Sequence, residues 1–475
     1  MAVFAVGGTG PHNDSIEAII VLRMLSDWIR KWLSGGLLLA LSTGLVAAQS
    51  DSSLIQKITC LNDSARQYAL YIPVDPLKEH KKALLIFFDP AGRGDFPVSL
   101  YQSLADEYGI ILAGSYNSRN FDGNSSIESF VAVFNDIIRQ HTIDPDRVWI
   151  AGFSGGARAA ATIAMIYPEI KGVIACGAGF ANDEEIKTEN LRAYVALVGD
   201  RDMNYGELMD NQIYLDQKKV PNILLTFAGV HAWPSADQLG LGVEWLLRKE
   251  KNYPVLPSGR GPRFLASVSL KIDSGLLYAA WIDAHQLSKI PSYEALADSV
   301  IHEIESQKQF SADKERFRLA AIEEQNTMND FSLAFSTMIN QKEAVNKKNW
   351  ISKVNKVMEM KQDAGRYRQL AGIRTFDHCT RSCMEYYFLF LRQADYKMAL
   401  NIVTLLSFYA PQDPESYYLQ ARASAGTGDK KNAEIQIREA VKKGLVNSNR
   451  VVQDVLLRTV FSAKEIRDLL EKSGR

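Results

Sequence analysis

Val148-Trp149-Ile150-Ala151-Gly152-Phe153-Ser154-Gly155-Gly156-Ala157-Arg158 is the stretch on which the fold turns. It opens on an unbroken apolar run, the pattern of a strand covered on both faces. From Ala157 to Tyr167 the spacing becomes helical. Between the two lies G-x-S-x-G. A serine on a strand-to-helix turn sits in a strained and crowded backbone, so glycines flank it where a side chain would clash. The helix behind it favours negative charge developing at the serine. A glycine-rich turn without chemistry is the plainer reading of five residues. The strand-turn-helix context favours a nucleophile.

The same alternation extends outward on both sides. Ile55–Thr59 and Tyr68–Ile72 read as a leading pair of strands around the turn signal Asn62-Asp63. Further strands are expected at Leu84–Phe88, Ile110–Ala113, Val148–Ala151, Val173–Cys176, Tyr194–Val198 and Ile223–Phe227. Helices are expected at Val98–Tyr108, Ile127–His141, Ala157–Tyr167, Tyr205–Lys219 and Gln238–Arg248. Strand-helix alternation of this kind predicts a doubly wound, mostly parallel α/β sheet with right-handed crossovers. Ligands bind beyond the carboxyl ends of such strands, so the residues after each strand carry the functional reading.

A serine nucleophile needs a base, and the base needs an orienting carboxylate. Of the histidines after Ser154, only His231 follows a strand of the same sheet, in Ala228-Gly229-Val230-His231-Ala232-Trp233. A loop histidine packed on Trp233 is the bland alternative. The carboxylate belongs after the preceding strand, where Val198-Gly199-Asp200-Arg201-Asp202 offers two. Asp202 lies farther into the loop, while Asp200 can pair with Arg201. Asp202 is therefore the expected acid. The backbone N–H of Gly155 is one expected oxyanion donor. The other should come from Asp89-Pro90-Ala91-Gly92-Arg93-Gly94 after the Leu84–Phe88 strand. Pro90 has no N–H, which leaves Ala91 first and Gly92 second.

Residues 54–250 resemble the exported α/β-hydrolases related to polyhydroxybutyrate depolymerases, feruloyl esterases and dienelactone hydrolases. Phe88-Asp89-Pro90-Ala91-Gly92, Gly152-Phe153-Ser154-Gly155-Gly156, Gly199-Asp200-Arg201-Asp202 and Gly229-Val230-His231 carry the resemblance. The order Ser154, Asp202, His231 is that of the α/β-hydrolases. In such relatives the acid closes a G-x-x-D turn, which here ends on Asp202. Those enzymes often have His-Gly at the oxyanion loop, where this chain has Asp89-Pro90. The resemblance implies a serine esterase on a small ester or polyester-type substrate, without cofactor or metal. A peptidase of the same fold, or a non-catalytic module for protein binding, are the alternatives.

The rest of the 475 residues is read separately. Arg30-Lys31, the apolar run from Leu37 and the small residues Val46-Ala47-Ala48 predict a signal peptide. An export segment at 1–48 and a periplasmic or extracellular protein are thus expected. Trp32–Ala48 is marginal for spanning a bilayer, and an uncleaved anchor is the alternative. The hydrolase domain is expected at 49–252. Pro254 to Pro262 is rich in proline and glycine and marks a linker at 253–262. An all-α domain is expected at 263–475. Within it Asp395-Tyr396-Lys397-Met398-Ala399 recurs as Asp429-Lys430-Lys431-Asn432-Ala433, an offset of 34 residues. That is the tetratricopeptide period, and it suggests repeats at about 384–445 able to hold a protein or peptide.

Lys plus Arg number 54 and Asp plus Glu 55, so no basic excess exists to bind nucleic acid. Four cysteines cannot staple a chain of this length. Cys379 and Cys383, beside His378, are too few for a metal site, and a local disulfide is the more plausible reading. Cys176 belongs to a core strand.

Overall fold

The computed structural model describes residues 54–73, 81–120, 125–181, 186–248, 258–446 and 448–472. Eight strands form one sheet: β1 (Gln56–Cys60), β2 (Asp63–Tyr71), β3 (Lys82–Phe88), β4 (Ile110–Ser115), β5 (Ile143–Phe153), β6 (Gly172–Cys176), β7 (Tyr194–Gly199) and β8 (Asn222–Phe227). Their order is β1-β2-β4-β3-β5-β6-β7-β8. β1 and β2 pair antiparallel, as do β2 and β4, and every later pair is parallel. The order reverses between β3 and β5, which lie side by side with Phe88 opposite Gly152. That switch point brings the loop after β3 against the turn after β5.

Alternate residues of each strand enter opposite cores. On β3, Ala83, Leu85 and Phe87 face one layer, and Leu84, Ile86 and Phe88 the other. The second layer is closed by α3 (Ser125–Gln140), α4 (Gly155–Ile166) and α5 (Tyr205–Gln217), through Phe130, Ala160 and Leu208. The first layer is closed by α1 (Asp95–Leu100), α2 (Gln102–Tyr108) and α6 (Ala236–Leu247). The single helix expected at Val98–Tyr108 is thus two, parted at Tyr101, where ψ is 14°. The break lets the Tyr101 hydroxyl donate to the Pro234 carbonyl at 2.8 Å.

The remaining helices of the described residues are α7 (Arg260–Asp273), α8 (Leu277–Leu287), α9 (Glu294–Glu305), α10 (Phe310–Asn340), α11 (Lys347–Lys361), α12 (Arg366–Arg392), α13 (Tyr396–Tyr409), α14 (Pro414–Gly426), α15 (Lys430–Lys442), α16 (Ser448–Val452) and α17 (Ala463–Lys472). Of the stretch expected as a linker, residues 253–257 lie outside the described residues, and 260–262 already belong to α7. The first helices beyond it form no separate core. Phe264 and Val268 of α7 and Leu277 and Ala284 of α8 join the same layer as Phe87 and Leu225 of the sheet. Arg260, buried at the start of α7, pairs with Glu107 of α2 and Glu244 of α6. Thr226 of β8 donates to Asp283 of α8 at 2.6 Å, and Lys271 of α7 pairs with that carboxylate. Helices α10–α15 and α17 build a further apolar core of their own around Phe331, Tyr387, Leu406 and Leu419.

The two aspartates of the 34-residue recurrence cap helices. Asp395 accepts from the Met398 N–H, and Asp429 from the Asn432 N–H, both at 3.0 Å. Cys379 and Cys383 are buried free thiols on α12, not a disulfide. Helical i, i+4 positions sit near the limit of disulfide reach. Among the described residues no helix is long and apolar enough to cross a membrane. The segment Arg30–Ala48 lies outside them.

Candidate active site

Ser154 sits between β5 and α4 with φ 53° and ψ −124°, outside the conformations a non-glycine residue prefers. The crowding that the flanking glycines relieve is explicit. A Cβ on Gly152 would lie 2.0 Å from the Gly156 carbonyl oxygen, and one on Gly156 would lie 2.0 Å from that of Phe88. Only glycine lets β5, α4 and the end of β3 approach so closely.

Ser154 Oγ lies 2.9 Å from His231 Nε2. Nδ1 of the same ring lies 2.9 Å from both carboxylate oxygens of Asp202. The imidazole is almost wholly buried and the carboxylate entirely so. With the carboxylate on the Nδ1 side, the proton belongs on Nδ1, which leaves Nε2 as acceptor for the serine hydroxyl. Asp200, the other candidate acid, is used differently. Its side chain accepts from the Gly229 N–H at 3.0 Å, tying the acid turn to the histidine loop.

Aromatic rings hold the histidine loop in place. Phe153 packs 4.6 Å from the His231 ring and 5.6 Å from Trp233. The Trp233 indole donates to Asp89 Oδ2 at 3.1 Å, linking this loop to the one after β3. Burial alone would raise the Asp89 carboxyl, but hydrogen bonds from Arg93, Trp233 and the Ala91 amide hold it below the usual carboxylate range.

That network corrects the expected oxyanion hole. The Ala91 N–H donates to Asp89 Oδ1 at 2.9 Å, and the Gly92 N–H to the Asp89 carbonyl at 3.0 Å. Both amides are engaged in the turn, so neither is left unpaired toward Ser154. The Gly155 N–H has no partner among the described residues. The side chain packed against the Cα of Gly155 is Asn120, after β4, which sequence reasoning did not single out: a Cβ built on Gly155 would fall 1.8 Å from Asn120 Oδ1. The Asn120 backbone N–H is tied to the Pro90 carbonyl at 3.0 Å. Its signal was position alone, just beyond the carboxyl end of a central strand. Gly177, after β6, was missed for the same reason.

Beside Ala91 and Asn120 opens a cavity of about 630 Å³, roofed by Glu385, Phe388 and Leu391 of α12. Burial pushes the Glu385 carboxyl up, while the charges of His231, Arg381 and Arg158 pull it down. A helix far along the chain thus borders the loops after β3 and β4.

Residues 98–192 match the family described as Esterase PHB depolymerase. That span runs from α1 through the Ser154 turn to the approach of β7. No curated protein sequence matches the chain. Among solved structures, the chain is similar to the fluorophosphonate-binding serine hydrolase F of Staphylococcus aureus at 13% identity, covering 38% of this chain and 92% of that one, with a TM-score of 0.32. It is similar to the S-formylglutathione hydrolase of the same organism at 15% identity, covering 43% and 100%, with a TM-score of 0.34. It is also similar to a puromycin-hydrolyzing peptidase of Mycobacterium tuberculosis at 15% identity, covering 45% and 42%, with a TM-score of 0.34. In strand order and switch point this chain has the α/β-hydrolase fold, and over residues 98–192 it is similar to the Esterase PHB depolymerase family.

Proposed function

We propose that the chain is a serine hydrolase that cleaves carboxylic esters through an acyl-enzyme. The observation that carries the reading is the unbroken line from Ser154 Oγ through His231 to Asp202, with both contacts at 2.9 Å. Ser154 Oγ attacks the ester carbonyl as its proton passes to His231 Nε2. The tetrahedral intermediate collapses, the C–O bond to the alcohol breaks, and His231 returns the proton to the departing oxygen. Water, deprotonated by the same nitrogen, then releases the acid and restores the serine. Asp202 stays ionised throughout and steadies the imidazolium.

The oxyanion is held by the Gly155 N–H and by the carboxamide of Asn120. Oxygen and nitrogen of that group have nearly the same shape, so a half-turn about its terminal bond presents N–H to the substrate. The neighbouring cavity suits a small ester. Export remains part of the proposal and rests on Arg30–Ala48, so the mature chain should begin near Gln49.

Turnover of a p-nitrophenyl ester by single variants tests the assignment. Ser154→Ala and His231→Ala should each remove nearly all activity, and the double variant should lose little more, since the triad acts as a unit. Asp202→Asn should fall by about 10⁴-fold, from the tautomer it enforces, and Asp200→Asn much less. Asn120→Ala should cost about 10²–10³ in kcat, the usual loss for one oxyanion donor. Wild-type turnover in Ser154→Ala would refute the reading.

A further inference from the structure

We infer that Arg374, on α12 of the helical half, is a positioning residue for the Ser154-His231-Asp202 set, an inference that rests on the proposed hydrolase reading. Its guanidinium reaches across the fold to the turn that carries the acid. Nη1 donates to the Asp200 carbonyl oxygen at 2.8 Å, while Nε donates to Glu324 of α10 at 2.7 Å. Nη2 closes a second bond to the same carboxylate. The guanidinium carbon also stands 4.6 Å from the centre of the Tyr205 ring. Asp200 and Tyr205 bracket Asp202 in sequence, so one cation grips the acid turn on both sides.

The grip is rigid for physical reasons. Arg374 and Glu324 are only 6% and 5% exposed. A buried guanidinium is held by its planar fork of donors, and this one divides them between Glu324 and the turn. Inside the turn, the Tyr205 N–H donates to the Asp202 carbonyl at 3.0 Å. Beyond it, the Arg201 N–H donates to the Gly229 carbonyl at 2.9 Å, and the Asp200 carboxylate receives the Gly229 N–H. Gly229 lies two residues before His231. Arg374 therefore acts on the turn that carries the acid, and on the histidine loop through one further hydrogen-bonded step, without touching Asp202 or His231. A structural ion pair between α10 and α12 would need only the Glu324 contacts. The bond to the Asp200 carbonyl is the one such a role leaves unexplained.

The test uses the full-length chain. Removing one charge alone would strand the other in the interior, so the main variant is Arg374→Met with Glu324→Met, which removes both. Arg374→Lys keeps the charge beside Glu324 but lacks the fork needed to hold two acceptors, and it decides the question where the double variant does not fold. In whichever variant circular dichroism shows to be folded, kcat on a p-nitrophenyl ester should fall about 10- to 100-fold with KM little changed, the scale of a misplacement near 1 Å. Asp202 hydrogen-bonds His231, and Glu385 interacts with it electrostatically. A loosened Asp202 stabilises the imidazolium less, so the acid limb of the kcat/KM profile should move to lower pH. The downfield proton resonance of the His231 Nδ1–H bond should weaken too, and it needs no turnover. Wild-type kcat, acid limb and proton resonance in the folded variant would overturn the inference. An inactive wild type would sink the hydrolase reading instead, while loss of the resonance in the variant would still uphold the positioning role.

Discussion

At Gly177 the backbone turns at φ +64°, and a Cβ there would lie 2.9 Å from Asp202 Oδ2 and 3.2 Å from His231 Nδ1. The left-handed conformation and the missing side chain serve the same end, a closed contact between acid and base. Gly177→Ala should therefore keep the fold but lower kcat by about 10²-fold, because the methyl group pushes apart two atoms that must touch. Steady-state kinetics beside a thermal melt checks this, and unchanged kcat would contradict it. The placement of the candidate residues was legible in the sequence wherever it followed from chain order. Ser154, Asp202 and His231 each stand just past a strand, and the structure brings these three side chains within hydrogen-bonding distance. Ala91 failed as an oxyanion donor because Asp89 takes its N–H. The warning was present, since an aspartate commonly accepts from the backbone two residues on. Asn120 and Gly177 stayed hidden because they meet the site only in space.

At the scale of elements, the strands were readable because parallel strands buried on both faces are continuous apolar runs. Helix ends were less so. Val98–Tyr108 has one apolar period, yet it divides at Tyr101, whose ring and hydroxyl are claimed by Phe87 and Pro234. The Pro/Gly stretch before Arg260 suggested an independent front half, but composition marks a break in the chain and not a break in the core. A chain ending near Lys251 would strip Phe264, Val268, Leu277 and Ala284 from the layer beneath Phe87 and Leu225. It would also leave Thr226 and Glu244 without Asp283 and Arg260. The truncated protein should aggregate or lose its melting transition, with several buried side chains lost at about 1.5–3 kcal/mol each. A soluble, active fragment with the full-length melting temperature would contradict that.

Across the whole molecule, 54 basic and 55 acidic residues nearly balance, and ion pairs join the helices of the helical half. Glu323 of α10 receives Arg368 of α12 and Lys356 of α11. The Arg368 hydrogen bond, above all, lowers its carboxyl to about 2 from the usual 4.5. A carboxyl depressed on folding stabilises the protein above its unfolded value and loses that contribution as pH falls through its folded one. Glu323→Gln should thus melt below the wild type at pH 7, and the gap should close between pH 4.5 and about 2. Melting curves across that range check the sign, and a gap that widened on acidification would contradict it.

The proposed chemistry rests on Ser154 being a nucleophile activated by His231. Its most direct measurement is the mass of the protein after exposure to a fluorophosphonate, with the modified residue located by peptide sequencing. One adduct should form on Ser154, fall to background in His231→Ala, and be absent from Ser154→Ala. Folded protein that takes up no label, or that carries it on another residue, would contradict the account.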